Sequence, residues 1–409
     1  MANNRALRVV ETVIARGNCS GCGACAALLD GLEMGRDATG FNRPIRRAGD
    51  SRPPSRQVSA AEMREICPGA TTRAVHAPGV PRHAFLGPVV GAWEAWASDP
   101  GVRSSGSSGG VLTALVEWLL ENDAADVAVG AAADPQDPAA TITVVRRKGS
   151  TFLDTAGSRY GPASNAEAQE AYRPRAVFVG KPCESYAVRS ALRERAVEDQ
   201  PLLLSFFCAG VPSQEATTAL VRQLGLGDAP IQSLRYRGNG WPGLFTVDDV
   251  AGRRASVSYE ESWGEHLGRR LQWRCKICPD GVGESADIAA GDFWYAGDDG
   301  RPAFAERPGR SALVARTARG RAVIEQAIRA GVIVAETVSP DSIAAVQPYQ
   351  VRRRQTLAGR LVGSALAGRR PPTYRGFSLI RLSFAAPLRT LHALIGGLAR
   401  GFTGGGRSG

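Results

Sequence analysis

From Tyr349 onward the chain contains no aspartate, glutamate or lysine, although 11 of its 50 basic residues, all arginine, lie there. The 39 acidic residues are therefore balanced by the basic residues of the body, and the net charge of +11 belongs to the C-terminal segment. A neutral body excludes a nucleic-acid binder; only the tail offers a polyanion surface. No apolar run is long enough to span a bilayer, and the opening MANNRALRVVETVIARGNC lacks the apolar core of a signal peptide. That absence predicts a cytoplasmic protein, in which paired cysteines are metal ligands or catalysts rather than disulfides. No Gly-x-Gly-x-x-Gly follows a strand, so a Rossmann dinucleotide site is not supported. Histidine is scarce, with only His76, His83, His266 and His392, so few imidazoles are available for proton transfer.

What the chain does have is eight cysteines. Cys19, Cys22 and Cys25 stand at C-x2-C-x2-C spacing, and Cys67-Pro68 follows downstream. A short loop supplying three thiols and a remote Cys-Pro supplying the fourth is a pattern that wraps a [4Fe–4S] cluster. Cys183, Cys208, Cys275 and Cys278 make a second set of the same size. Cys183 and Cys208 each close a strand–turn–helix unit, AVFVG-KPC (176–183) and LLLSFF-C (202–208). In an open α/β sheet the carboxyl edge of the strands is where ligands bind. A nearby helix N-terminus would favour the thiolate form there. Two other readings stay open. Cys183 and Cys208 are also the kind of thiol found buried for packing alone, and Cys22, Cys25, Cys275 and Cys278 also fit a zinc ribbon.

The fold expected is mixed α/β. Residues 1–85, rich in loops such as SRPPSR, form a small ferredoxin-like iron–sulfur domain. Residues 86–170 and 171–345 form the two parts of an α/β body, and 346–409 a basic amphipathic tail. Clusters move single electrons, so a body that acts on organic substrates needs a converter such as flavin. The phosphate-cradle candidate is RSSGSSGG (103–110), which opens an apolar helix, with Arg103 adding charge; Asp154–Tyr160 is a second polar turn.

Six segments together, CSGCGAC (19–25), SSGSSGGVLTALVEWLL (104–120), AGSRYGPAS (156–164), GKPCES (180–185), CAGVPS (208–213) and CKICPDGVGESADIAAGDFW (275–294), resemble one family. That family is the beta subunit of coenzyme F420 hydrogenase/dehydrogenase, related to ferredoxin-dependent divinyl chlorophyllide reductase and hydroxymethyl chlorophyll reductase. The resemblance implies FAD held by Ser105, Ser108, Gly109, Gly110, Ser158, Arg159 and Tyr160. It implies two [4Fe–4S] clusters, the one nearer the flavin on Cys183, Cys208, Cys275 and Cys278. Two departures, Ala209 for histidine and Tyr236-Arg237-Gly238-Asn239 for Phe-Arg-Asp-Lys, point to a different substrate.

The function expected is an oxidoreductase that passes electrons from ferredoxin or reduced coenzyme F420, through the clusters and FAD, to an organic acceptor. The alternative is an electron-transfer beta subunit without a substrate of its own. A proton donor is not assigned; His266, Glu265 and Asp292 are the candidates, His266 being the histidine nearest the presumed site in sequence. The tail carries an apolar row, Phe377, Ile380, Phe384, Leu388, Leu391, Ile395, Leu398 and Phe402, at helical spacing, with Pro387 as a break. Such a helix either lies on the inner membrane face, making a lipid- or glycan-linked substrate worth testing, or packs on the body or a partner subunit.

Overall fold

The computed structural model describes residues 2–47, 58–297 and 303–403. The SRPPSR loop lies outside these, as does the Phe402 side chain. The fold is mixed α/β, built around one eight-stranded sheet. Its strands are β1 (Gly91–Ala97), β2 (Val127–Ala133), β3 (Thr141–Arg147), β4 (Ala176–Gly180), β5 (Leu202–Phe206), β6 (Ile288–Asp292), β7 (Ser311–Ala315) and β8 (Ile333–Thr337). Across the sheet the order is β8-β1-β7-β6-β5-β4-β2-β3. The centre, β6-β5-β4-β2, is parallel, and the remaining pairings are antiparallel.

Parallel strands are buried on both faces, which is why β4 and β5 read as nearly continuous apolar runs, interrupted only by Ser205. Side chains alternate across such a strand, so Phe178 of β4 enters one core while its neighbour Val177 enters the other. On the Phe178 side lie helix α2 (Pro182–Glu194) and the N-terminal segment, whose helices Ala2–Ala15 and Ala60–Ile66 contribute Ala6, Val9, Met63 and Ile66. The iron–sulfur segment expected at 1–85 therefore shares its core with the sheet. On the Val177 side lie α1 (Val111–Glu121), through Leu115, Val116 and Leu119, and helix Ala318–Arg329. Helix α3 (Gln214–Gln223) starts at Ser213, whose hydroxyl accepts the Ala216 N–H at 3.2 Å.

Two strands of the sheet were not legible. β6 reads IAAGD and β7 reads SALVA, short runs with no apolar–polar alternation to mark a strand. Residues 231–258 form a separate three-stranded antiparallel sheet. The tail is not a loose appendage. Helix α4 (Pro348–Leu366) lies against the cysteine hook, and strand Thr373–Arg375 pairs in parallel with Thr71–Arg73. The apolar row splits at Ala385-Ala386, ahead of Pro387, into a short helix, Leu379–Phe384, and α5 (Pro387–Thr403). No helix among the described residues is long and apolar enough to cross a membrane.

Candidate functional site

The carboxyl ends of β4 and β5 lie side by side, as parallel pairing of Leu204 with Val179 and Ser205 with Gly180 requires. Beyond them opens a cavity of about 810 Å³. The serine–glycine loop reaches it through Ser107, Ser108 and Gly110, and the second turn through Gly157, Ser158, Arg159 and Tyr160. The two loops are tied by a 2.7 Å bond between the Ser107 and Ser158 hydroxyls. Gly110 caps α1 at φ +71°, and a Cβ there would fall 2.5 Å from the Val102 carbonyl oxygen.

Not every expected flavin contact faces the cavity. Ser105 ends a short helix, Pro100–Ser105, outside the lining; Ser107 takes the place expected for it. Gly109 is pinned to the sheet, its carbonyl accepting Ala97 N–H at 2.7 Å and its N–H donating to Ser311. Arg159 lines the cavity, but its donors reach Thr141 Oγ1 and the carbonyls of Leu234, Pro138 and Ala140. With its fork occupied it shapes the wall rather than offering itself to a phosphate. Arg103 turns to the Gly309 carbonyl at 2.8 Å and lies over Trp96.

The far wall is aromatic. Tyr160, Tyr259, Trp263 and Trp294 stand within 4.7 to 6.5 Å of one another in successive pairs. Among them is Arg237, at 1% exposure, held to Asp292 at 3.0 and 2.9 Å and stacked 4.4 Å over Tyr259. Trp241 also donates to Asp292, at 2.9 Å. Arg237 was legible only as a departure from the family stretch. His266 and Glu265 are absent from the lining, whereas their neighbours Trp263, Gly264 and Gly268 are in it. Both belong to the π-turn Ser262–His266 that runs along this wall.

Four cysteines gather around one small cavity, while Cys183 interacts with Cys22 as well as with Cys208, and Cys208 with Cys275 and Cys278. Cys19, Cys22, Cys25 and Cys67 line one small cavity with Val10, Val13, Met63 and Ile66. Gly23 within that loop has φ +93°, and a Cβ there would meet the backbone of Glu167 and Ser164 at 2.7 Å. Cys183 lies inside the first turn of α2 rather than in the turn expected before it. Cys208 follows β5, lines the large cavity, and faces the hook of Cys275 and Cys278. Burial, with neighbouring sulfur next, pushes the Cys208 thiol up to about 12. Burial likewise raises Cys183 well above the ordinary thiol value, Lys181 working the other way. The helix N-terminus expected to favour a thiolate is outweighed there.

Among the described residues no three His, Cys, Asp or Glu side chains converge as a single metal ion requires. Of the zinc-ribbon residues, Cys22 and Cys25 line the small cavity with Cys19 and Cys67, whereas Cys275 and Cys278 lie against Cys208. Arg274 bears on the fit. It is 2% exposed, between the two sets, and donates to the Pro68 carbonyl at 2.8 Å and to Thr72. Burial lowers its pKa, but Tyr374 and the thiols of Cys278, Cys183 and Cys275 outweigh this and raise it. Its Nε and Nη1 nonetheless have no hydrogen-bond partner. A buried cation with two free donors beside the thiols of Cys183, Cys275 and Cys278 suits an anionic group held by them. Gln272 joins the sets directly, donating to Ser20 carbonyl at 3.0 Å and to Cys275 Sγ at 3.4 Å.

Family models describe this architecture. Residues 92–170 match the N-terminal domain of the coenzyme F420 hydrogenase/dehydrogenase beta subunit, and 174–341 match its C-terminal domain. The chain belongs to the coenzyme F420 hydrogenase/dehydrogenase beta-subunit family. Coenzyme F420 hydrogenase subunit beta of Methanococcus voltae is 26% identical over 60% of this chain and 83% of its own. The subunit of that name from Methanothermobacter thermautotrophicus is 26% identical over 58% of this chain and 80% of its own. The beta subunit of F420-dependent formate dehydrogenase 1 from Methanococcus maripaludis is 24% identical over 60% and 62%. A chain of the F420-reducing [NiFe] hydrogenase complex from Methanosarcina barkeri is 22% identical, with a TM-score of 0.48, covering 69% of this chain and 96% of that one. These relatives are subunits of oxidoreductases, and the family places this chain in electron transfer. The first cysteine set, α4 and α5 lie outside the matched residues.

Proposed function

We propose that this chain is an iron–sulfur flavoprotein oxidoreductase, taking electrons from reduced coenzyme F420 or ferredoxin and delivering them to an organic acceptor in the large cavity. One observation carries the reading: Cys208 opens onto the same cavity as the Ser107–Gly110 and Gly157–Tyr160 loops. Two [4Fe–4S] groups, on Cys19, Cys22, Cys25 and Cys67 and on Cys183, Cys208, Cys275 and Cys278, suit the two thiol quartets and the cation between them. Bound FAD and clusters would supply the exchange between electron pairs and single electrons.

The chain's own residues bind and orient. Backbone N–H groups at the start of α1 offer an anion cradle. Tyr160, Tyr259, Trp263 and Trp294 give a planar substrate faces to lie against and keep water out. Arg237 is fixed by Asp292, whose oxygens accept three donors, two from the Arg237 guanidinium and one from the Trp241 indole. Tyr259 lines the cavity beneath Arg237, and burial holds its phenol well above the ordinary value, so it serves as an aromatic face rather than as an acid.

The test is oxygen-free purification with iron, acid-labile sulfide and flavin assays. Expected are about eight irons and about one flavin per chain. Cys67→Ser and Cys208→Ser should each lose about half the iron, and only the latter should disturb the flavin spectrum. Colourless protein without iron or sulfide overturns the proposal. The names of the relatives favour a second reading, a beta subunit feeding a separate catalytic partner. Copurification with a larger metalloenzyme, together with no acceptor reduced by the isolated chain, selects it.

A further inference from the structure

The two helices beyond the family match carry an inference independent of the redox reading. α4 and α5 meet along a glycine seam. A Cβ on Gly359 would fall 2.3 Å from the Thr390 carbonyl oxygen, and one on Gly363 would fall 2.0 Å from that of Leu394. So close an approach fixes the inward face of α5 as Thr390, Leu394 and Gly397. Leu388, Leu391 and Ile395 are then left on the opposite face, and the preceding short helix adds Ile380 and Phe384. All five are more than half exposed, Phe384 reaching 77%. The apolar row expected from sequence thus divides. Phe377 is buried beneath Arg354, Leu398 is half-buried, and the middle of the row faces outward.

The polar surroundings of this ridge have one sign. Arg381 and Arg389 are exposed beside it, and among the described residues no carboxylate pairs with either of them. From Tyr349 onward there is no acid at all.

We propose that this face docks on an anionic lipid surface, with the ridge entering the acyl boundary and the arginines meeting headgroup phosphates. Charge selects the occupant. A second copy of the chain would set the same arginines against themselves across a twofold axis, where like charges oppose association. A segment with arginine and no acid suits a continuous layer of negative charge, and amphipathic helices bind such layers through apolar burial plus electrostatic attraction.

Flotation of the full chain with vesicles tests this. Binding is expected to phosphatidylcholine vesicles containing about 30 mol% phosphatidylglycerol, weakening as salt is raised, and not to phosphatidylcholine alone. Leu388→Ser with Ile395→Ser should weaken binding about a hundredfold, near tenfold per side chain. Arg381→Gln with Arg389→Gln should remove the preference for anionic vesicles. Because these side chains are exposed, unchanged circular dichroism and melting identify a folded variant. No binding by the intact chain overturns the proposal, as does equal binding by the folded serine variant. A concentration-dependent dimer that the serine variant abolishes would assign the face to a second copy instead, and would equally overturn it.

Discussion

The guanidinium of Arg237 grips the carboxylate of Asp292 at two points, 3.0 and 2.9 Å, on the cavity wall. The two residues come from different parts of the fold, Arg237 just after the first strand of the small sheet and Asp292 at the end of β6. Their pairing fixes the aromatic wall to the sheet. Removing one member leaves a buried charge uncompensated, which costs about 3 kcal/mol or more. Arg237→Met should lower the denaturant midpoint accordingly. The double variant with Asp292→Leu should recover part of the loss, a non-additivity that a double-mutant cycle measures.

Glu284 sets an acid limit on stability. Burial alone would raise its carboxyl, but Arg354 and Arg82 outweigh it and hold the group at about 2 against an ordinary 4.5. Both cations lie within hydrogen-bond reach, Arg82 at 2.6 Å and Arg354 at 2.5 Å. A carboxyl depressed in the folded state stabilises fully above its unfolded pKa. That contribution, about 3 kcal/mol, is lost as pH falls from about 4.5 to about 2. Because Arg354 belongs to α4, this acid step should loosen the tail from the hook. Glu284→Gln should flatten the dependence of stability on pH across that window, read from urea midpoints.

Arg274 should tune whatever the thiol quartets hold. Its charge lies between Pro68, beside the first set, and the hook, with two donors free. Replacing it with a neutral side chain removes a positive charge beside an electron acceptor and makes reduction harder. Arg274→Gln should shift at least one iron–sulfur midpoint potential downward, on the order of tens of millivolts, at unchanged iron content. An unaltered potential in redox titration would leave Arg274 a structural residue.

Gly110 should separate flavin from iron. Its positive φ and the nearby Val102 carbonyl leave no room for a side chain. Gly110→Val should distort the start of α1 and lower flavin per chain several-fold, with iron per chain unchanged. Equal loss of both would show a folding defect instead.

The segments with strong local patterns were legible without a structure. AVFVG and LLLSFF announce buried strands, Ser213 announces a helix start, and the apolar spacing of 112–119 announces α1. β6 and β7 were not, because IAAGD and SALVA take their conformation from strands on either side rather than from their own periodicity. The site divides in the same manner. The serine–glycine loop could be found from composition, but whether Ser105 or Ser107 faces the cavity depends on where the short helix Pro100–Ser105 ends. His266 is close in sequence, yet the lining takes Trp263, Gly264 and Gly268 from that stretch instead.

By itself the sequence determined which atoms are available: eight thiols at ligand spacing, two glycine-bearing turns, and a C-terminal segment with one sign of charge. Those follow from composition and short-range spacing. Only the tertiary structure decided the gathering of Cys19, Cys22, Cys25 and Cys67 about one small cavity, the entry of Cys208 into the cavity of the two loops, and the outward turn of Leu388 and Ile395. Each of these depends on contacts between segments far apart in the chain, which parallel strand pairing and helix seams bring together and local preference does not encode.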